Sequence, residues 1–271
     1  MQRCGDTAVV IPARNESDRI GATVTAAAGL PGVDIVIVVD DGSDDGTAAA
    51  AERAGAAVVR HARNRGKAAA METGAEAVRL LEASEASQAS EASQASQVGE
   101  ASAASRDGAT GRGQACPRHL LFLDADLGQT AAGAAPLAVP VRSGEADMTI
   151  AVFGNREQRG GHGLVVGLSG SGIRRATGWR PAQPLNGQRC LTRAAFEAAR
   201  PLAPGWGAET GLTIDLLRQG LRITEVEVPL AHRATGTDWR SQLHRARQLA
   251  DVARALAVRQ SGSRAARAGQ R

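Results

Sequence analysis

Short, β-branched apolar runs recur along this chain, each stopped by a proline or an acidic residue and followed by a stretch that suits a helix. TAVVIP at 7–12 ends on Pro12, DIVIVV at 34–39 runs into DDGSDDG, AAVVRH at 56–61 precedes NRGK, and LLFL at 120–123 runs into DAD. Short apolar runs without polar alternation mark strands covered on both faces. Between them, 17–29, 46–56 and the stretch from Gly66 to about Leu81 read as helices. Asn15 can cap the first, which carries Ile20 and Val24 on one face, and Gly55 closes the second. Alternation of this kind predicts an α/β domain with a mostly parallel sheet flanked by helices. Hydrophobic residues make up 43% of the 271 residues, enough for a sizeable core. Aromatics make up 2% and Tyr is absent, so Val, Leu, Ile and Ala must fill that core.

Residues 83–115 interrupt the pattern. EASEASQASEASQASQ offers no apolar side chain larger than Ala, and such a segment buries too little surface to offset its ordering entropy. It is expected to be a low-complexity insertion, disordered or loosely helical. Beyond it, 130–143 reads as a helix interrupted by Pro136 and Pro140, and MTIAVF at 148–153 as a strand. Residues 154–184 read as a long Gly- and Arg-rich connection, of the length that is often functional. Helices are expected at 192–200 and 208–219, a strand with edge character at 223–230 because of Pro229, and a basic amphipathic helix at 238–259. The division is one domain over 1–232, followed by a basic C-terminal helix and tail over 233–271.

The net charge of +4 is unevenly spread. Nine Arg and two Asp follow His232, so the tail is basic and the body mildly acidic. That balance argues against nucleic acid as the body's ligand and leaves room for the tail at an anionic membrane surface. No apolar run is long enough to cross a bilayer and no signal peptide is evident, so a cytoplasmic protein is expected, with the inner membrane face open to the tail. Cys4, Cys116 and Cys190 are isolated and read as small packing residues. A homo-oligomer is compatible with all of this.

Two strand-end acidic motifs carry the chemistry. In LLFLDADLG, Asp124 and Asp126 follow an apolar strand, where open α/β sheets bind ligands. Two such carboxylates suit a hard cation, Mg²⁺ or Mn²⁺, held alongside substrate phosphates. In VVDDGSDDGT, Asp40 and Asp41 are placed to meet a ligand, and Asp44 and Asp45 to cap the following helix. Glu16, after the first strand, would face the same crevice. Of 32 basic residues, 31 are Arg and one is Lys. That residue, Lys67 in NRGKAAA, follows Gly66 and supplies a compact charge for an anionic ligand.

PARNE, DDGSDDGT, NRGKAAA and DAD, in this order, resemble the family 2 glycosyltransferases of GT-A type. The resemblance implies a Rossmann-like nucleotide-sugar domain in which Pro12, Glu16 and Asp41 hold the nucleoside. Lys67 would lie near nucleotide or sugar groups, and Asp124 and Asp126 would hold the metal–diphosphate pair. The second half resembles a narrower group, the glucosyl-3-phosphoglycerate synthases, through PLNGQ at 184–188, APGWGAETGLTID at 203–215 and AHR at 231–233. By that likeness Gly187 lies on the acceptor side, Glu209 contacts the donor sugar and His232 is a third metal ligand. Trp206 is placed to wall the sugar. The likeness departs at Leu230, where the synthases have a basic residue, and at GLSGSGIRR, a loose match to their acceptor loop. Arg174 and Arg175 there are placed for an acceptor phosphate beside exposed backbone N–H groups.

The expected reaction is hexose transfer from a nucleoside-diphosphate sugar, UDP-glucose by resemblance, to a small phosphorylated acceptor such as 3-phosphoglycerate. Glu209 would serve as base if the stereochemistry inverts, or orient the sugar if it is retained; Lys67 would add to the field on the leaving diphosphate. A polyprenyl-phosphate acceptor at the membrane surface is the alternative within the class. Outside it stand a nucleotidyltransferase, which the PARNES segment disfavours, and a non-catalytic nucleotide-sugar binding module.

Overall fold

The computed structural model describes residues 6–99, 116–154, 163–230 and 248–259. Its element order is β1 (Thr7–Ala13), α1 (Ile20–Ala28), β2 (Val33–Asp40), α2 (Thr47–Arg53), β3 (Ala57–Arg60), α3 (Lys67–Gly99), β4 (His119–Phe122), α4 (Ala135–Arg142), β5 (Met148–Phe153), α5 (Gly163–Thr177), β6 (Arg189–Leu191), α6 (Arg193–Ala198), α7 (Ala208–Arg218) and β7 (Ile223–Val228). An eighth helix, α8, covers 248–259. Single 3₁₀ segments precede α4 and α7, at Gly128–Ala134 and Gly205–Gly207.

The seven strands form one sheet in the order β3-β2-β1-β4-β6-β5-β7. All pairings are parallel except those of β6, which runs antiparallel to both β4 and β5. Alternate strand residues feed two cores. Val9, Ile11, Val38, Leu121 and Leu123 face α1 and α4, whereas Ala8, Val10, Ile37, Leu120 and Phe122 face α3 and α7. Period-2 alternation between two covered faces is why these strands read as continuous apolar runs.

Several expectations are corrected. The helix after Gly66 does not stop near Leu81 but continues to Gly99. Ala, Glu and Gln are good helix formers, and the extension is tied down: Arg118, only 6% exposed, pairs with Glu85 at 2.9 Å and with Asp34 at 2.7 Å. Arg193 reaches Glu82 at 3.3 Å. Residues 83–99 are therefore helical rather than disordered, and 100–115 lie outside the described residues. Residues 163–177, expected as part of a loop, form α5. β6 was not anticipated, because three residues are too few to show a period.

The cysteine expectation also changes: Cys116 is disulfide-bonded, while Cys190 is a free thiol at the sheet centre, pushed up to about 12 by burial. Among the described residues no helix is long and apolar enough to cross a membrane. The described part of the basic C-terminal helix uses its apolar face internally. Val252 and Leu256 are buried with Val165, Ile173 and Ile214 of α5 and α7.

Candidate active site

Strand direction gathers the sequence motifs at one edge of the sheet. β1, β2, β3 and β4 are mutually parallel, so Ala13, Asp40, Arg60 and Phe122 all end there. β6 runs the other way and pairs Arg189 with Phe122, so residues just before it sit beside those just after β4. This is how Gly187 and Gln188 come to lie against Asp124, 63 and 64 positions away in sequence.

The loops after β1, β2 and β3 interlock. Asn15, at φ 55, accepts from Asp44 N at 3.0 Å through its side chain, while its own N–H donates to Ser43 Oγ. Glu16 N donates to Thr47 Oγ1, and Ser17 N to Asp45. Asp45 also accepts from Thr47 N and Oγ1, and these bonds hold its pKa down to about 2. Gly42 has φ 71, and a Cβ there would lie 2.7 Å from the Arg63–Asn64 backbone, so only glycine fits. Pro12 sits where β4 no longer pairs with β1, so its missing N–H breaks no ladder bond.

Both acidic residues of the β2 tip face inward. Asp40 is 1% exposed; one oxygen accepts from Ser43 N at 2.9 Å and the other from Arg60 Nε at 3.2 Å. Placed for a ligand by the sequence, it instead shapes the loop. Asp41 accepts from His61 Nδ1 and Arg65 N, both at 2.7 Å, and from Gly66 N at 2.8 Å. Burial pushes its carboxyl up, but these bonds outweigh burial and the net direction is down. His61, which spacing gave no partner, bridges Asp41 to Thr73 Oγ1 of α3.

Asp41→Ala would leave the buried His61 Nδ1 and the partly buried Arg65 N–H without this acceptor, while Gly66 N keeps Asn64 Oδ1, and is expected to cost about 1–3 kcal/mol in denaturant unfolding. Because its folded pKa is lowered, the stabilisation from Asp41 is complete above the ordinary value of 3.8 and fades as pH falls through the lower folded value. Asp41→Ala should therefore flatten the acid limb of the stability profile.

Lys67 opens α3, where the helix dipole disfavours a cation. Two carboxylates compensate. Its Nζ donates to Asp124 Oδ1 at 2.7 Å and lies 3.2 Å from Glu209 Oε1. Burial pulls its pKa down, yet the charges of Asp124 and Glu209 more than offset that and the net direction is up. Gln188 Nε2 donates to the other Asp124 oxygen at 2.6 Å. Glu209 stands in the first turn of α7, 2% exposed, and neither of its oxygens accepts a well-formed hydrogen bond.

Gly187 is needed for close approach: a Cβ there would overlap Lys67 Nζ and lie 3.0 Å from Asp124 Oδ1. Gly187→Ala should displace the lysine head group, lowering turnover about tenfold while changing the melting temperature by less than about 3 °C, measurable by steady-state kinetics and calorimetry.

Asp126, half-buried, follows on the turn after β4, where its carbonyl accepts from Arg19 Nη1 at 3.2 Å. Among the described residues no three His, Cys, Asp or Glu side chains form a ready cation site. His232 lies outside the described residues, beyond the end of β7. Asp124 is engaged by Lys67 and Gln188, and Asp126 supplies a second carboxylate two residues further on. One or two carboxylates plus substrate phosphates suffice for Mg²⁺.

Arg174 and Arg175 sit exposed in the last turn of α5. The glycine-rich stretch before them is helical, so its N–H groups are consumed within the helix; the expected exposed N–H groups are absent there. Trp206 is half-buried and its N–H donates to Asp251 of α8 at 3.2 Å.

The class that fold and motif define is GT-A: residues 8–80, from β1 through the start of α3, match the family model described as glycosyl transferase family 2. The seven-stranded sheet extends the likeness across nearly the whole chain. The fold is shared with structures of glucosyl-3-phosphoglycerate synthase from Mycobacterium tuberculosis. The complex with Mn²⁺, UDP-glucose and phosphoglyceric acid superposes with a TM-score of 0.65 at 24% identity, covering 94% of this chain and 79% of that one. The complex with Mg²⁺ and UDP gives 0.63 at 24% identity, covering 94% and 79%, and the complex with glycerol 3-phosphate, Mn²⁺ and UDP-glucose gives 0.63 at 23% with the same coverage. No curated protein sequence matches the chain.

Proposed function

We propose that this protein is a metal-dependent glycosyltransferase that moves a hexose, glucose by preference, from a nucleoside diphosphate to a small phosphorylated acceptor such as 3-phosphoglycerate. The observation that carries this reading is the Lys67–Asp124–Glu209 cluster, built where three separate chain segments meet at the sheet edge.

In this reading the interlocked loops carrying Pro12, Glu16 and Asp41 receive the nucleoside. Asp126 and His232 hold Mg²⁺ or Mn²⁺, which supplies charge neutralisation on the diphosphate when bound. Lys67 directs its ammonium at the same leaving group, and its raised pKa keeps it charged throughout the neutral range. The buried Glu209 carboxylate accepts hydrogen bonds from sugar hydroxyls and fixes the sugar's orientation. Gly187, on the acceptor side, admits the Lys67 head group against the backbone, and Arg174 offers a cation for the acceptor's phosphate from the end of α5.

For the polyprenyl-phosphate alternative α8 leaves only Leu249 and Val258 exposed among its large apolar residues, since Val252 and Leu256 are packed on α5 and α7. Mixing the protein with Mn²⁺ and a panel of nucleoside-diphosphate sugars, with 3-phosphoglycerate or glycerol 3-phosphate as acceptor, tests the reading. Release of UDP that depends on both metal and acceptor is expected; no turnover with any donor would refute it.

A further inference from the structure

Arg189 is the largest fully buried side chain among the described residues. It begins β6, directly after Gln188, and none of the described carboxylates lies within ion-pair distance of it. Its guanidinium is instead spent on three backbone carbonyls and a hydroxyl. Nε donates to Asn186 O at 2.8 Å, Nη2 to Pro184 O at 3.0 Å, and Nη1 to Glu209 O at 3.1 Å and Thr213 Oγ1 at 2.8 Å. Thr213 Oγ1 in turn donates to Glu209 O at 2.8 Å.

Burying a cation without a contacting carboxylate is costly, and the guanidinium is pulled down to about 10 by that burial, with Glu209 and Glu225 offsetting part of it. An apolar residue of similar size would fill this space at lower cost, so the donors themselves are what the site requires. Their arrangement joins two segments. Pro184 and Asn186 belong to the loop that carries Gly187 and Gln188; Glu209 and Thr213 belong to the first turns of α7. The loop meets Lys67 and Asp124 through Gly187 and Gln188, and α7 meets Lys67 through Glu209. The same guanidinium therefore sets the spacing between both walls around Lys67.

We propose that Arg189 is the positioning residue of this site: it touches no substrate, and it holds the Glu209 carboxylate at its distance from Lys67 by clamping the 184–188 loop to α7. The inference of a catalytic consequence rests on the proposed transferase activity, whereas the positional claim does not.

Lys67 is the only lysine in the chain, so its reactivity reports on the cluster without any turnover. The test is the rate at which an amine-reactive acylating reagent modifies Lys67 in the full-length protein at pH 8.5, read by peptide mass mapping. Arg189→Gln is compared with the wild-type protein well below the melting temperature of each. Thr213→Val removes one hydroxyl from the clamp with little change in volume and serves where Arg189→Gln does not fold. With the clamp cut, Glu209 moves away from Lys67, the packing around the head group opens, and the reagent reaches the amine more readily. Modification is expected to speed up about fivefold or more in Arg189→Gln and about twofold in Thr213→Val, while the affinity for UDP with Mn²⁺ stays within about twofold and kcat falls about tenfold. An unchanged modification rate in a folded variant would overturn the positional claim, as would faster modification with wild-type kcat overturn its catalytic consequence. Absence of turnover in the wild-type protein would refute the transferase reading alone and leave the labelling result to decide the clamp.

Discussion

Lys67→Ala is expected to lower kcat/KM by about 10²–10³-fold, the range found when a preorganised charge is taken from a developing anion. The effect should fall mainly on kcat if the ammonium meets the leaving diphosphate more closely as charge builds. Stability should suffer as well. Asp124 and the nearly inaccessible Glu209 would share the space without a cation; since Lys67 and Asp124 are each about a quarter exposed, water screens part of that loss, and about 1–3 kcal/mol is expected. Lys67→Arg should not rescue activity. The head group is already in contact with the backbone at Gly187, leaving no room for a planar fork, and the two cations are not interchangeable in tight sites. Steady-state kinetics and denaturant unfolding on both variants check this, and wild-type kcat/KM in Lys67→Arg would remove the steric part of the explanation.

Asp126→Ala is expected to abolish metal-dependent turnover, a loss of at least about 10³-fold, and to eliminate the thermal stabilisation that Mn²⁺ and UDP together should give the wild-type protein. The second readout matters because it needs no reaction: binding raises the melting temperature by mass action. Asp124→Asn should behave differently. It keeps the hydrogen-bonding shape toward Gln188 but loses half of the charge that faces Lys67, so turnover falls while metal-linked stabilisation persists. Full activity in Asp126→Ala would sink the assignment of the cation to this carboxylate.

The fold was legible because its signals are local. The buried strands β1, β2, β4 and β5 announce themselves as uninterrupted apolar runs, and β3 as a shorter run at the sheet edge. What stayed hidden depends on long-range partners. Asp40 and Asp41 look alike in DDGSDDG, yet Arg60 and Ser43 consume the first while His61, Arg65 and Gly66 grip the second. His61 and Arg189 were invisible for the same reason, since their partners lie 12 or more residues away on other elements, or are backbone carbonyls that no side-chain pattern marks. Of the two forms expected for the Ala-Ser-Glu-Gln repeat, disordered or loosely helical, the second holds through Gly99, because a low apolar content excludes a core but not a helix anchored by Glu82 and Glu85 to Arg193 and Arg118.

The reversal of β6 has an evolutionary corollary. One wall of the crevice is made by loops that leave strands, all within the first half of the chain; the opposite wall is made by a loop that enters a strand, together with the helix beyond it. These two walls are encoded far apart and touch chiefly through Lys67, Asp124 and Gln188. Mutational drift in one wall can therefore retune the molecule it selects while the other wall keeps its own preference, so long as those three residues and the spacing between the walls survive.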